Sequence, residues 1–253
     1  DCAVKADGWR VNLDVELEDK NCGTGAGGFQ EGNTCARGEG DGGTLEFGKS
    51  KISFTEVDGK QSLRTMGVSG QDIASVCGAP SGSKVEVQTF DDEGQAVRVV
   101  DVIVQNKAIG FEAHRRLFFE ENGDNTIQNI TMDVKEMGRG LGTQIFANQV
   151  ENAAGRGFKS IECRAARSKY ENGYYTWARL GYDSDISDRM KGQRIGGIKI
   201  KNVSDLMKTS EGRGWWKENG FDLLSATFDL TPGSLSRKVL SSYVKERASR
   251  TSS

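Results

Sequence analysis

The chain has 253 residues, of which 36% are hydrophobic and 28% are charged, and its formal net charge is −2. This length accommodates one large domain, or a medium domain with appendages. The balanced charge argues against nucleic acid or an anionic membrane as a general partner. No apolar run approaches the roughly 20 residues needed to cross a bilayer.

The cysteines are few, odd in number and far apart, and a single histidine accompanies them: Cys2, Cys22, Cys35, Cys77, Cys163 and His114. A disulfide framework or a zinc site requires tighter clustering or more ligands. We therefore expect free thiols, no metal site and a non-secreted, cytoplasmic protein.

The N-terminal part separates into two segments. Within residues 1–20, the run 9–17 alternates apolar and polar side chains, which predicts a half-buried strand. Residues 21–44 contain nine glycines in 24 positions, and such a composition buries too little apolar surface to offset its ordering entropy. We interpret 21–44 as a linker or arm, and 1–44 as an extension that can contact a protein partner.

The pattern changes at Leu45, and residues 45–232 are predicted to form the main domain. Period-two alternation predicts strands at 52–57, 84–90, 96–105, 129–134, 158–166 and 221–230. Helical spacing predicts helices at 69–79, 142–157 and 170–183, short amphipathic helices near 203–208 and 212–220, and a C-terminal helix at 234–248 within 233–253. Residues 113–121 fit a strand or a helix. Together these elements predict a mixed α/β (α+β) fold with a mostly antiparallel central sheet flanked by helices.

The most informative segment is a glycine loop between a predicted strand and a predicted helix: Met137, Gly138, Arg139, Gly140, Leu141, Gly142 and then Thr143. Glycines leave the backbone N–H groups accessible, and the positive end of the helix dipole favours an anion. Arg139 can add a charge-assisted contact, and Thr143 can add a hydroxyl group. The loop therefore predicts phosphate binding, with a purely structural turn as the alternative.

The run MGRGLGTQIF resembles the pyrophosphate-binding motif of the GNAT acetyltransferases, Gln/Arg-x-x-Gly-x-Gly/Ala. Gly140 and Gly142 match this motif, whereas Met137 stands where the family prefers Gln or Arg. Downstream, YYTWARLGYD resembles the family's next motif, an aromatic helix that ends in Leu-Gly-Phe or Leu-Gly-Tyr. The two motifs together cover residues 127–183 in the family's order.

The resemblance implies that acetyl-CoA lies between two splayed strands, 129–134 and 158–166, as the co-substrate of acyl transfer to an amine. It implies that the cofactor-binding residues are Met132, Asp133 and Val134 for the pantetheine arm, and Met137, Gly138, Arg139, Gly140, Leu141, Gly142 and Thr143 for the pyrophosphate.

The resemblance also implies a catalytic base and a catalytic acid. Asp133 and Glu162 are the candidates for the base. The position where family members often carry a tyrosine acid holds Trp177, which has no acidic proton to give, so Tyr175 becomes the candidate for the acid.

A second resemblance points to another function. The arm CGTGAGGFQEGNTCARGEG is similar to stretches of head-assembly and other structural proteins of tailed phages. It implies a catalytically inactive GNAT-fold protein that takes part in a virion, with residues 1–44 wrapping a neighbour on assembly. Binding of acetyl-CoA distinguishes the enzyme from this alternative.

Overall fold

The computed structural model describes residues 11–12, 45–56, 59–90, 97–135, 140–168 and 172–251. The strands are β1 (Val11–Asn12), β2 (Lys51–Phe54), β3 (Lys84–Phe90), β4 (Val97–Asn106), β5 (Phe111–Glu120), β6 (Thr126–Val134), β7 (Ser160–Ala165), β8 (Arg194–Ile195), β9 (Ile198–Lys199) and β10 (Leu223–Asp229). The helices are α1 (Gly59–Thr65), α2 (Gly70–Val76), α3 (Leu141–Gly155), α4 (Gly173–Arg179), α5 (Val203–Leu206), α6 (Ser210–Asn219) and α7 (Leu235–Thr251).

One mixed sheet dominates the described residues. Its strand order is β10-β7-β6-β5-β4-β3-β2, and β1 pairs with β6 outside this path. The pairs β2–β3, β6–β7 and β1–β6 are parallel, and the other neighbours are antiparallel. The predicted mixed α/β class with a mostly antiparallel sheet is therefore confirmed.

Most predicted elements are confirmed, with shifted boundaries. The helix predicted at 69–79 is α2, and Ser69 caps it: the Ser69 hydroxyl oxygen accepts from the Asp72 N–H at 3.2 Å, while Asp72 accepts from the Ser69 N–H at 2.8 Å. The ambiguous run 113–121 is strand β5. The short helix α1 was missed because Leu63 is the one large apolar side chain that it buries, which leaves no periodic pattern to read.

Of the predicted N-terminal strand 9–17, the structure describes Val11 and Asn12 as β1. The glycine-rich segment 21–44 and the turn predicted at 91–94 lie outside the described residues.

The sheet has one buried face and one more accessible face. Side chains such as Val85, Val102 and Leu117 face the core, which they share with α2, α3 and α4. On the opposite face, the register places polar side chains in a row across five adjacent strands: Gln88, Asp101, Arg116, Gln128 and Glu162. This face is built for contact with water or with a polar ligand.

Acid is expected to weaken the fold through one member of that row. Although burial raises the pKa of Asp101, hydrogen bonds from Arg116 (2.6 and 2.8 Å) and the nearby His114 ring, 3.7 Å away, outweigh it and hold the pKa at about 2. The folded-state pKa lies below the ordinary 3.8, so this stabilisation exists above about pH 4 and is lost as the pH falls towards 2.

Because Arg116 is partly exposed, we expect Asp101→Asn to cost about 1 kcal/mol at pH 7 and almost nothing near pH 2. Urea unfolding of both proteins at the two pH values measures this difference. If Asp101→Asn costs the same free energy of unfolding at pH 7 and near pH 2, the assignment of this pH dependence to Asp101 is contradicted.

Candidate functional site

Strands β6 and β7 are paired over part of their length and then separate. The parallel register joins Thr126–Asn129 to Ser160–Cys163, and residues 130–134 of β6 have no partner on β7. We call the space between residues 130–134 and the C-terminal end of β7 the wedge. Its apex lies at Asn129 and Cys163, and its mouth faces the start of α3.

A β-bulge lies at the apex. On β5, His114 pairs with Thr131 while Arg115 pairs with Asn129, so that Ile130 is an extra residue in β6. A bulge bends its strand and increases the local twist. The bend begins one residue after the last β6–β7 pair, which gives the wedge a local physical cause.

The wedge side of β6 carries backbone groups that β5 does not use. The Lys135 N–H donates to the Gly110 carbonyl on the β5 side at 3.0 Å. Since such groups alternate along an antiparallel strand, those of Asp133 also face β5, and those of Met132 point into the wedge. An extended ligand there can pair with β6 as a strand does.

Strand β1 occupies this edge. It runs parallel to β6 with Val11 opposite Met132 and Asn12 opposite Asp133. Since β5 already pairs with β6 at both positions, β1 lies on the wedge side. The sequence predicted a strand here but not its partner.

Helix α3 begins at the mouth of the wedge. Its N-cap, Gly140, has φ 73° and ψ 10°, a left-handed conformation that favours glycine, and no side chain hydrogen bond caps the helix there. Of the predicted pyrophosphate residues, Gly140, Leu141, Gly142 and Thr143 are buried. Met137, Gly138 and Arg139 lie outside the described residues. A ligand at the first turn of α3 must therefore displace whatever covers it.

Arg247 of α7 brings a positive charge to this helix end. A Cβ placed on Gly140 would lie 3.2 Å from the Arg247 Nη2 and 3.4 Å from its Cζ, so the guanidinium lies directly against the glycine. A cation at a helix N-terminus opposes the helix dipole unless an anion joins them. The combination suits a phosphate group, which an arginine and a helix N-terminus both favour.

A buried polar cluster lies on the core side of the apex. We call it the apex cluster; its members are Arg115, Asn129, Gln149 and Tyr182. The Asn129 amide donates to the Gln149 carbonyl oxygen at 3.1 Å and to the Tyr182 hydroxyl oxygen at 3.1 Å, and Gln149 donates back to Asn129 at 2.9 Å. Burial raises the pKa of Tyr182 well above its ordinary value, which keeps the phenol protonated.

Arg115 is the anomalous member of the apex cluster. It is 0% exposed, and although its Nη1 donates to the Thr131 and His114 carbonyls, its Nε and Nη2 have no partner. Burial lowers its pKa to about 10, and the ionisable groups that interact with its charge are Cys77, Tyr182 and Cys163. None of these three is a carboxylate, so a guanidinium with two unused donor groups lies beneath the apex.

The structure places the aromatic residues of α4, and the tyrosine of the turn after it, at different depths. Tyr175 is half-buried on α4, beside Tyr174 with ring centroids 6.4 Å apart. Trp177 is fully buried against Phe146 and Tyr182, with centroids 5.4 and 4.9 Å away. Trp177 is therefore a packing residue, and Tyr182 is the phenol that hydrogen bonds to Asn129 at the apex.

The two candidate bases are not brought together. Glu162 is exposed on β7 opposite Gln128, beside the apex, whereas Asp133 is exposed near the mouth. Gln128 and Asp133 are five residues apart on β6, which corresponds to roughly 15 Å. A reaction at the apex can use Glu162 but not Asp133.

Two residues of this site escaped the sequence analysis. Arg247 lies in the predicted C-terminal helix 234–248, but more than 100 residues separate it from Gly140 and no local pattern links them. Arg115 lies in a run that fitted a strand or a helix, and the strand alternation that buries it became apparent with β5. Tyr182 had a visible signal, since it ends the Leu-Gly-Tyr motif.

The described residues were also compared with the requirements of disulfide, metal and membrane-spanning sites. Cys77 and Cys163 are free and buried. No group of three or more metal-ligating side chains occurs in the described part of the chain. Among the same residues, no helix has the length and apolar character needed to cross a membrane.

Comparisons of the chain with protein-family models, with curated proteins and with solved structures found no match.

Proposed function

We propose that this chain binds acyl-CoA in the wedge and transfers the acyl group, acetyl in the simplest case, to an amine. The observation that carries the proposal is the parting of two parallel strands, β6 and β7, directly before a helix with a glycine at its N-cap.

Three neighbouring features support the binding of acyl-CoA. The start of α3 and Arg247 suit the pyrophosphate, and the wedge side of β6 suits the amide groups of the pantetheine arm. The apex then receives the thioester. Met132 contributes backbone groups only, because its side chain is fully buried.

The chemical step needs a base for the amine proton, a donor for the thioester oxygen and an acid for the departing sulfur. Glu162 stands on the accessible side of the apex and takes the proton when the amine nitrogen bonds to the acyl carbon. The unused Arg115 N–H groups stabilise the negative charge that develops on the thioester oxygen. As the carbon–sulfur bond breaks, the thiolate takes a proton from Tyr175 on α4, the candidate acid.

Thermal unfolding with millimolar acetyl-CoA tests the binding step. We expect acetyl-CoA to raise the Tm of the wild type, by mass action on the folded state. Arg247→Ala is expected to lose a charge-assisted contact worth about 1.5–3 kcal/mol, or roughly 10- to 100-fold in affinity. Lys245→Ala is the matched control, since Lys245 is an exposed cation two residues away on α7.

Two results would count against the proposal. If millimolar acetyl-CoA leaves the Tm of the wild type unchanged, acetyl-CoA is not a ligand of this chain. An equal loss of affinity in both variants would show that general charge, and not the end of α3, attracts the nucleotide.

The position of β1 favours a second candidate, an interaction protein whose wedge is permanently filled by its own strand. The buried Trp177 at the family's tyrosine position agrees with this candidate. It predicts co-purification with a large assembly, through residues 1–44, and no response to acetyl-CoA.

A further inference from the structure

We propose that the outer edge of β2, together with the groove beside it, binds an extended acidic segment of another protein as an additional strand. This inference goes beyond the proposed function and does not depend on it. It rests on three properties of the described residues around β2: unused backbone groups, an apolar groove and two cations.

Strand β2 has a free outer edge. It is the last strand in the order of the described sheet and pairs with β3 alone. The N–H groups of Lys51 and Thr55 donate to carbonyls on the β3 side at 2.8 and 3.1 Å. Since successive residues of a paired strand direct their backbone groups to opposite edges, those of Ser50, Ile52 and Phe54 point outwards.

A side chain already occupies part of this edge in the way that a strand does. The Gln71 amide of α2 donates to the Ser50 carbonyl at 2.6 Å and accepts from the Ser50 N–H at 3.2 Å. No described residue forms a hydrogen bond with the outward groups of Ile52 and Phe54. These two residues therefore leave backbone groups available to a partner strand.

The groove beside this edge is lined mainly by apolar side chains. It has a volume of about 620 Å³, and Ile52, Phe54, Leu63 and Val68 form its apolar walls. This volume lies within the roughly 300–1,000 Å³ that is typical of binding pockets. The side chains of Ile52 and Phe54 point to the face that carries α1 and α2. A strand added to β2 would therefore direct every second side chain towards the groove.

Two cations on α1 give the groove a positive charge. Lys60 and Arg64 are one helical turn apart, and both are exposed and line the groove. Neither forms an ion pair with a described residue. Asp72, a carboxylate in the same lining, is engaged by Arg156 and by the Ser69 N–H. The groove therefore offers unpaired positive charge to a partner.

The charges favour an acidic partner over a second copy of this chain. Two copies joined through antiparallel β2 strands would bring both pairs of cations to the same face of the joined sheet, where like charges repel. A segment with an apolar side chain for the groove and a carboxylate two residues away for Lys60 or Arg64 meets both requirements. In this mode of recognition, main-chain hydrogen bonds supply affinity and alternate side chains supply specificity.

Peptide titration of the full chain, followed by NMR, tests the proposal. The probe is an acetylated and amidated peptide of about seven residues, within the usual length of a strand, with threonine at odd positions and valine, glutamate and glutamate at even positions. We expect it to shift the amide signals of Ile52 and Phe54. The same peptide with lysine in place of glutamate is expected to bind roughly 2- to 30-fold more weakly, as the loss of two exposed ion pairs predicts.

A charge-reversed protein should exchange these preferences. The double variant Lys60→Glu with Arg64→Glu is expected to prefer the lysine peptide over the glutamate peptide. The matched control is Lys107→Glu with Lys199→Glu, which reverses two exposed cations away from the groove and should leave the preference for glutamate unchanged.

Backbone methylation of the peptide tests the added strand without altering the protein. N-methyl groups on alternate residues remove the N–H groups on one edge of the peptide. We expect one of the two alternate sets to abolish binding and the other to preserve it, because only one edge pairs with β2.

Three results would overturn the proposal. The first is that millimolar glutamate peptide leaves the Ile52 and Phe54 signals in place. The second is that the glutamate and lysine peptides bind the wild type equally. The third is that the two methylated sets bind equally. None of these results involves acetyl-CoA, so the proposed function is judged separately by its own binding data.

Discussion

Arg115→Met is expected to raise the free energy of unfolding by about 1–4 kcal/mol. The guanidinium is fully buried with two unused donor groups, and burial lowers its pKa from its ordinary value to about 10. A depressed pKa on a cation means that the charged form destabilises the fold, by about 3 kcal/mol for this shift. Methionine fills a similar volume without a charge. Urea unfolding at pH 7 measures the gain.

The pH dependence and a neighbouring arginine provide the checks. Since the charge on Arg115 begins to leave the folded state near pH 10, the advantage of Arg115→Met should shrink as the pH rises above 10. Arg116→Met is the control, because it removes the ion pair with Asp101 and should destabilise the protein. If Arg115→Met also lowers stability, the guanidinium has a compensating partner.

The same substitution carries a functional expectation. Under the proposed function, Arg115→Met stabilises the protein but removes the donor that faces the thioester oxygen. Such an arginine would lower the stability of the fold and support the reaction, which is the usual trade-off between stability and activity at functional sites.

Gly181→Ala is expected to lower the free energy of unfolding by about 3–5 kcal/mol. Gly181 has φ +106°, outside the range of ordinary side-chain-bearing residues, and a Cβ there would lie 2.5 Å from the Ser236 carbonyl oxygen. Backbone on both sides of this contact leaves little room for relaxation. The turn also holds Tyr182, whose N–H donates to the Trp177 carbonyl at 3.0 Å, so a shift there disturbs the apex cluster.

Gly157→Ala separates the two contributions to that loss. Gly157 also has a positive φ, +81°, but a Cβ there would meet nothing within 4 Å. We expect this variant to lose about 1–2 kcal/mol from backbone conformation alone. Urea unfolding of both variants measures the difference, and equal losses would show that the approach of α7 to the turn costs nothing.

The sequence predicted the fold class and the order of the central elements because those signals are local. Helical spacing predicted helices at 69–79 and 142–157, and α2 and α3 are present there. The aromatic helix before Gly181 was also found, although α4 is shorter than predicted.

The site was less predictable because its parts meet through long-range contacts. Nothing near Val11 indicates Met132 as its partner, and nothing near Arg247 indicates Gly140. The isolation of the Arg115 charge depends on which side chains surround it. Residues 137–139, which suggested phosphate binding first, lie outside the described residues.

The extra residue in β6 also determines which side chains meet water. Before Ile130, the odd-numbered residues Ile127 and Asn129 face the core; after it, the even-numbered residues Met132 and Val134 do. If the alternation continued unbroken through Ile130, Asp133 would point into the hydrocarbon interior and Met132 would point to the surface. The bulge therefore moves the buried positions from odd-numbered to even-numbered residues at the point where β6 leaves β7.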